Sequence, residues 1–240
     1  MAGFLVVASF LALFVLGFPV VLAIAIPSVT YLLLNDLPLV MIAQRTVYAM
    51  DSFPLVAVPV FLFVGSLMNA SGISAYIYRF ADTAVSRLPG GLAQVNIFGS
   101  LVFSGISGSA LADIGGLGRI EIDAMRKKGF SVPFASAVTC SSAIIGPIFP
   151  PSIPLIIYGT VTGASVLQLL LGGILPGLLC TFALMATAAW LAKRRGYPRA
   201  ERWPTCGEVV RDMLPAIPAL LAPVILIVGM LAGFFTPTEI

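Results

Sequence analysis

The sequence predicts an all-α, polytopic transmembrane helical protein with a re-entrant hairpin and a broken helix. Three observations predict it. Of 240 residues, 59% are hydrophobic and 10% charged, against about 45–50% and about 25% in soluble domains. The charges are also segregated. None falls between Met1 and Asn35, Ser52 and Tyr78, Leu88 and Ala112, Gly129 and Ala192, or Met213 and Thr238. Finally, two of these stretches are broken by residues unsuited to a helix interior, Ser104 to Ser109 and Gly146 to Ser152. A helix crosses the roughly 30 Å hydrocarbon layer with about 20 apolar residues. The alternation of a transmembrane β-barrel, in strands of about 10 residues, does not occur; the runs are continuously apolar.

The first run, Phe4 to Leu34, is long for one crossing, and Pro19 and Pro27 are expected to bend or end it. Asn35 to Phe53, with Arg45 and Asp51, reads as a polar connection. A second crossing spans Pro54 to Met68 and stops at Asn69-Ala-Ser-Gly72. Ile73 to Arg87 carries Arg79, Asp82 and Arg87 on an apolar background, which suits a helix lying at the membrane surface. Pro89-Gly90-Gly91 ends it.

Leu92 to Gly118 is apolar at both ends. Its middle reads Ser104-Gly-Ile-Ser-Gly-Ser109, a poor helix interior. Two arms of about 12 residues each are too short to span, so the segment is expected to re-enter. A charged loop, Arg119 to Lys128, follows. In the next stretch Gly146-Pro-Ile-Phe-Pro-Pro-Ser152 cannot continue a helix, because three prolines remove amide donors and clash with preceding carbonyls. A broken helix over Pro133 to Val161 is expected, then a crossing from Val166 to Leu191 and a last one from Met213 to Phe235. Lys193-Arg194-Arg195, with Arg199 and Arg202, form the densest basic cluster. The positive-inside rule makes that loop cytoplasmic. Counting back, the hairpin enters from the cytoplasmic side and the N-terminus is cytoplasmic. The N-terminus lacks the basic region of a signal peptide and is read as a first transmembrane helix. Trp190 and Trp203 suit an interfacial belt.

Several chemistries are excluded. A net charge of +3, scattered along the chain, does not suggest nucleic acid. Cys140, Cys180 and Cys206 lack metal-site or disulfide-framework spacing. Gly105-Ile-Ser107-Gly108 matches the pattern of an intramembrane serine protease. That nucleophile needs a base, yet the chain has no histidine and its lysines fall in charged loops. No enzyme is expected.

Two interruptions at membrane depth do point to a function. Unpaired backbone groups survive there only when buried in protein or lining a watery cavity, and broken helices mark the binding sites of transporters. Freed carbonyls and serine hydroxyls are hard oxygen ligands suited to Na⁺. Half-helix N-termini suit an anion. Close helix packing is the competing explanation for such small residues. Asp113, in an otherwise uncharged segment, is a candidate functional carboxylate, or else serves the positive end of a half-helix.

These residues also carry a resemblance. Gln44-Arg45 through Asp51-Ser-Phe-Pro54, with Gly65-Ser-Leu-Met68, is similar to the second-helix region of the large membrane subunit of TRAP transporters (tripartite ATP-independent periplasmic transporters). SGISGSALADIGGLG, Ser104 to Gly118, resembles that family's first hairpin. GPIFPPSIPLIIYG, Gly146 to Gly159, resembles its broken helix, and TPTE at Thr236 resembles the start of its second half. The match spans nearly the whole chain.

The resemblance implies an elevator-type secondary transporter of the bacterial inner membrane. It would be a Na⁺-coupled permease subunit importing an organic anion, a dicarboxylate (such as a C4-dicarboxylate) or a sugar acid. A periplasmic binding protein would deliver the anion, and a separate small four-helix membrane subunit would complete the assembly. Na⁺ would be the coupling ion, with no organic cofactor. The implied organisation is scaffold helices over 1–72, an interfacial arm over 73–89 and half a transport domain over 90–165. That half holds the hairpin 92–118 and the broken helix 133–161. Scaffold helices with a cytoplasmic basic loop 193–212 fill 166–240. The implied Na⁺ ligands are Ser104, Ser107 and carbonyls at Gly146, Phe149 and Pro151. Ser109, Asp113 and Ser152 fall on the substrate side. Since the family's large subunit has two inverted repeats, the sequence is expected to be a fragment, or to need another chain, and not to transport alone. The alternatives are a binding-protein-independent Na⁺/anion symporter of similar architecture and a non-transporting assembly subunit.

Overall fold

The computed structural model describes residues 2–50, 57–198 and 204–234. Among the described residues every regular element is helical. The chain divides into two compact units, Met1–Ser52 and Phe53–Ile240.

In the first unit, α1 (Ala2–Val15) and α2 (Val20–Leu34) pack against each other. The apolar run that was too long for one crossing is therefore two helices of 14 and 15 residues. Gly17, at φ +84°, ends α1 in the left-handed region, and Pro19 stands just ahead of α2. Pro27 lies buried inside α2 without breaking it. The connection expected after Asn35 contains α3 (Val40–Met50), which opens with amides of Met41 and Ile42 bonded to the carbonyls of Pro38 and Leu39. The Asp51–Pro54 motif, Arg199, Arg202, Trp203 and the TPTE motif lie outside the described residues.

The second unit opens with α4 (Ala57–Ala70), which turns by 72° through Gly72 into α5 (Ile73–Val85). Ser74, Ile77 and Ala81 form one buried stripe on α5, at the three-to-four-residue spacing of a helix face packed on one side. That stripe packs on α6 (Leu92–Ser107), the centre of the unit, which also touches α4, α9, α11 and α13. Beyond the turn at Gly108–Ser109 come α7 (Ala110–Asp113), a wide π turn over Ile114–Gly118, and α8 (Arg119–Lys127). The stretch expected as a charged loop is thus helical. Its basic residues face outward: Arg119, Arg126 and Lys127 are exposed, while Glu121 and Met125 are buried.

α9 (Val132–Ser142) tightens into one turn over Ala143–Ile145, and regular helix resumes at α10 (Ile153–Thr162). α11 (Val166–Arg195) runs 30 residues with Pro176 inside it. The basic residues expected in a loop form its last turn, where cations meet the negative end of the helix, and Gly196 at φ +66° caps it. The expected loop 193–212 also contains α12 (Cys206–Met213), started by a capping box of Thr205 and Glu208. α13 (Ile217–Leu231) closes the unit. Val166–Arg195 and Gly207–Gly229 are long and apolar enough to cross a membrane. The bent pair Val58–Met68 and Ile73–Val85 qualifies if taken as one span.

Among the described residues, three apolar clusters hold the unit together, the smallest of them around Leu170 of α11. Ala93, Ile97, Met125, Phe134, Val138 and Ala188 join α6, α8, α9 and α11. Tyr197 stacks on Phe130 and packs on Phe134, with ring centres 4.6 and 4.9 Å apart, and shares a 2.8 Å hydrogen bond with the Ser131 hydroxyl. Ile77, Phe103, Ile106, Leu117 and Ala219 form the second cluster.

Candidate functional site

Both interruptions foreseen in the sequence are present, and they meet. α6 ends at Ser107 because Gly108 adopts φ +58°, a left-handed conformation that favours glycine. Ser109 then starts α7 by accepting a hydrogen bond from the Ala112 amide at 3.4 Å. In the second interruption, the amides of Ile148 and Phe149 bond back to the Ile145 carbonyl. The Pro150–Pro151 bond is cis, and Ser152 starts α10 by accepting from the Leu155 amide at 3.3 Å. The Ser152 hydroxyl also donates to the Pro147 carbonyl.

One backbone hydrogen bond joins the two: the Ile153 amide donates to the Gly108 carbonyl at 3.3 Å. A side chain at Gly108 would collide with the Pro151 carbonyl, so the approach depends on the missing Cβ. Gly146 stands as close, since a Cβ there would come within 3.2 Å of the Ser109 carbonyl carbon and 3.3 Å of the Ala110 amide nitrogen. α7 and α10 therefore begin side by side, each capped by a serine.

The structure brings Ser107, Ser109, Gly146, Pro151 and Ser152 to this junction. Ser104 and Ser107 are fully buried at the end of α6. Ser104 donates to the Leu101 carbonyl at 2.7 Å, and the oxygen of Ser107 faces the Ser109 amide at 3.5 Å, so both keep lone pairs. Among the described residues no backbone amide donates to the carbonyls of Gly146, Phe149 or Pro151. A set of hydroxyl and carbonyl oxygens without a formal charge fits a hard monovalent cation. Phe149 also packs on α11, where a Cβ at Gly177 would lie 3.0 Å from its side chain.

Asp113 is placed differently. It is buried within the hairpin, next to the Ser100 hydroxyl, and its Oδ1 has no partner. Ser100 belongs to a buried polar network that composition concealed. Ser100 donates to the Ser142 hydroxyl at 3.0 Å, Ser142 to Asn96 Oδ1 at 2.7 Å, and Asn96 Nδ2 to the Thr139 hydroxyl at 2.7 Å. The network clamps α6 to α9 behind the two interruptions. Its only trace in the sequence is spacing: Asn96, Ser100, Ser104 and Ser107 recur at three or four residues along α6.

The sequence profile described as the DctM component of the tripartite ATP-independent periplasmic transporter matches residues 7–240. The chain is 44% identical over 235 residues to the sialic acid TRAP transporter large permease protein SiaM of Vibrio cholerae, covering 96% of this chain and 54% of that protein. It is 43% identical over 225 residues to the sialic acid TRAP transporter permease protein SiaT of Haemophilus influenzae, covering 93% and 36%. Against the 2,3-diketo-L-gulonate TRAP transporter large permease protein YiaN of Escherichia coli it is 39% identical over 197 residues, covering 82% and 46%. The chain spans about half the length, or less, of these relatives.

Proposed function

This chain belongs to the DctM-component family of tripartite ATP-independent periplasmic transporters, and on that premise we propose that it forms part of a Na⁺-coupled membrane permease importing an organic anion. The observation that carries this reading is the hydrogen bond from the Ile153 amide to the Gly108 carbonyl, which closes the turn of the hairpin onto the broken helix. A cation at Ser104, Ser107 and the carbonyls of Gly146, Phe149 and Pro151 would tie the two together. The neighbouring starts of α7 and α10 would then present amide dipoles to a carboxylate, with Ser109 and Ser152 at their mouths. Asp113, buried beside Ser100, is the third residue proposed for the substrate side.

Relatives named for sialic acid and diketogulonate support an acidic sugar as the substrate class. The proposed partners are a periplasmic binding protein that delivers the anion and a small membrane subunit. The proposed location is the bacterial inner membrane, and the proposed motion is an elevator-type displacement of the hairpin with the broken helix. The chemistry is binding and displacement, with no bond made or broken in the substrate.

Uptake of labelled anion into proteoliposomes holding the assembled permease tests this reading. Uptake that needs inward Na⁺ and the binding protein, and that loses its Na⁺ dependence in Ser104→Ala/Ser107→Ala, supports it. Uptake indifferent to Na⁺ refutes it, and uptake without the binding protein restores the simpler symporter.

A further inference from the structure

A second buried site lies behind the junction. Glu121 is 1% exposed, and neither of its carboxylate oxygens has a hydrogen-bond partner. Asp113, 3% exposed, also leaves Oδ1 unpaired. The two stand eight residues apart. At about 100° per residue a regular helix would separate them by about 80°. The π turn over Ile114–Gly118 absorbs about one extra residue and returns them to within about 20° of a common face. Helical side chains lean toward the N-terminus, so Glu121 reaches back along α6, where its Oε1 lies 3.4 Å from the place a Cβ would take on Gly99.

We propose that Glu121 is a proton-binding site: it holds a proton in the protein interior, where an exposed carboxyl would be ionised, and Asp113 is the negative neighbour that keeps it there. Among the described residues, no basic side chain offsets the burial of this carboxyl. α6 carries no titratable side chain, and α9 carries only the exposed Cys140. On α5, the Tyr78 hydroxyl is without a partner, Asp82 adds negative charge, and Arg79 turns to Asp212 at 3.6 Å. On α8 itself Arg119, Arg126 and Lys127 are exposed, and Asp123 lies 3.7 Å from Arg126. Lys128 is exposed beyond the helix end. α8 lies outside the charge-free stretches, and burial pushes its Glu121 carboxyl well above the ordinary carboxylate range, with Asp113 adding to the shift.

A metal ion shared by the pair is the competing occupant. Roughly two helical turns, about 10 Å along the axis, separate the two backbones. Among the described residues no cluster of three such side chains could hold a metal ion. A proton needs one carboxyl only.

Infrared spectroscopy of the assembled permease in membranes tests the site without relying on transport, so its failure and the failure of the Na⁺-coupled reading are distinguishable. At neutral pH a protonated-acid carbonyl band is expected that shifts in heavy water, disappears in Glu121→Gln and persists in Asp113→Asn. In Asp113→Asn the band should titrate away at lower pH, because its negative neighbour is gone. A band unaffected by Glu121→Gln overturns the proposal. So does a band that added Na⁺ abolishes, which would make the pair a cation site. Glu121→Leu supplies a second readout. A carboxyl that binds its proton more tightly when folded contributes stability that is complete below about pH 4.3 and lost as pH rises through the folded value. Glu121→Leu should remove that slope from the melting temperature, and a slope that survives overturns the assignment.

Discussion

α6 and α11 are both apolar helices of the second unit, and they handle polarity in opposite ways. α6 buries its polar side chains, Gln94, Asn96, Ser100, Ser104 and Ser107, at the centre of the fold. Apart from Leu170, α11 buries small residues, Gly173, Gly177, Thr181, Ala188 and Ala192, and leaves Leu175, Leu179, Phe182 and Trp190 exposed. Water would invert this arrangement; in lipid, exposed leucine costs nothing and close packing of small residues drives helix association. α11 is a helix built to face hydrocarbon on one side. α6 is built to be surrounded, and protein encloses its last turn, where Ser104 and Ser107 are buried.

The sharpest way to break the α6 side is Gly108→Val. The side chain would meet the Pro151 carbonyl while occupying φ +58°, which is prohibitive for a β-branched residue. The expected outcome is loss of the folded hairpin, seen as failure to recover a monodisperse permease by size-exclusion chromatography. Next comes Asn96→Leu, which takes from the buried network the amide that donates to the Thr139 hydroxyl and accepts from Ser142. Unfolding in mild detergent should show a loss of about 2–4 kcal/mol.

On α11 the contrast can be sharpened with one pair of substitutions. Gly177→Leu drives a side chain into Phe149 and should cost about 1–3 kcal/mol, whereas Gly172→Leu meets open space and should be nearly neutral. Equal melting temperatures for the two would remove the distinction between the packed and the lipid-facing side.

The smallest effect is expected at the α5–α12 contact, away from both helices. Asp212 accepts from the Thr83 hydroxyl at 2.6 Å and sits 3.6 Å from Arg79 and 3.5 Å from Arg211. Both arginines are largely exposed, so Asp212→Asn should lower the melting temperature only slightly, and a large drop would show that this contact is structural.

Much of this was legible in the sequence because hydrocarbon is a severe solvent. It forbids charge and unpaired backbone, so charge-free stretches and the Ser/Gly and Pro interruptions announce helices and their breaks. Length was less legible. Gly17 and Pro19 split one apolar run into two helices, and the basic residues at 193–195 extend α11 instead of leaving it, because a helix end tolerates cations. Glu121 was hidden for a similar reason: a carboxylate among arginines and lysines reads as solvated until the helix phase is known.

The amino-acid order by itself determined the solvent, the helical class and the two places where helix must stop, since each follows from local chemistry. Only the tertiary structure decided that those places touch, that Asn96 clamps α6 to α9, and that a π turn swings Glu121 inward. Each of these depends on which faces of separate helices meet, and that is settled by packing between residues far apart in the chain.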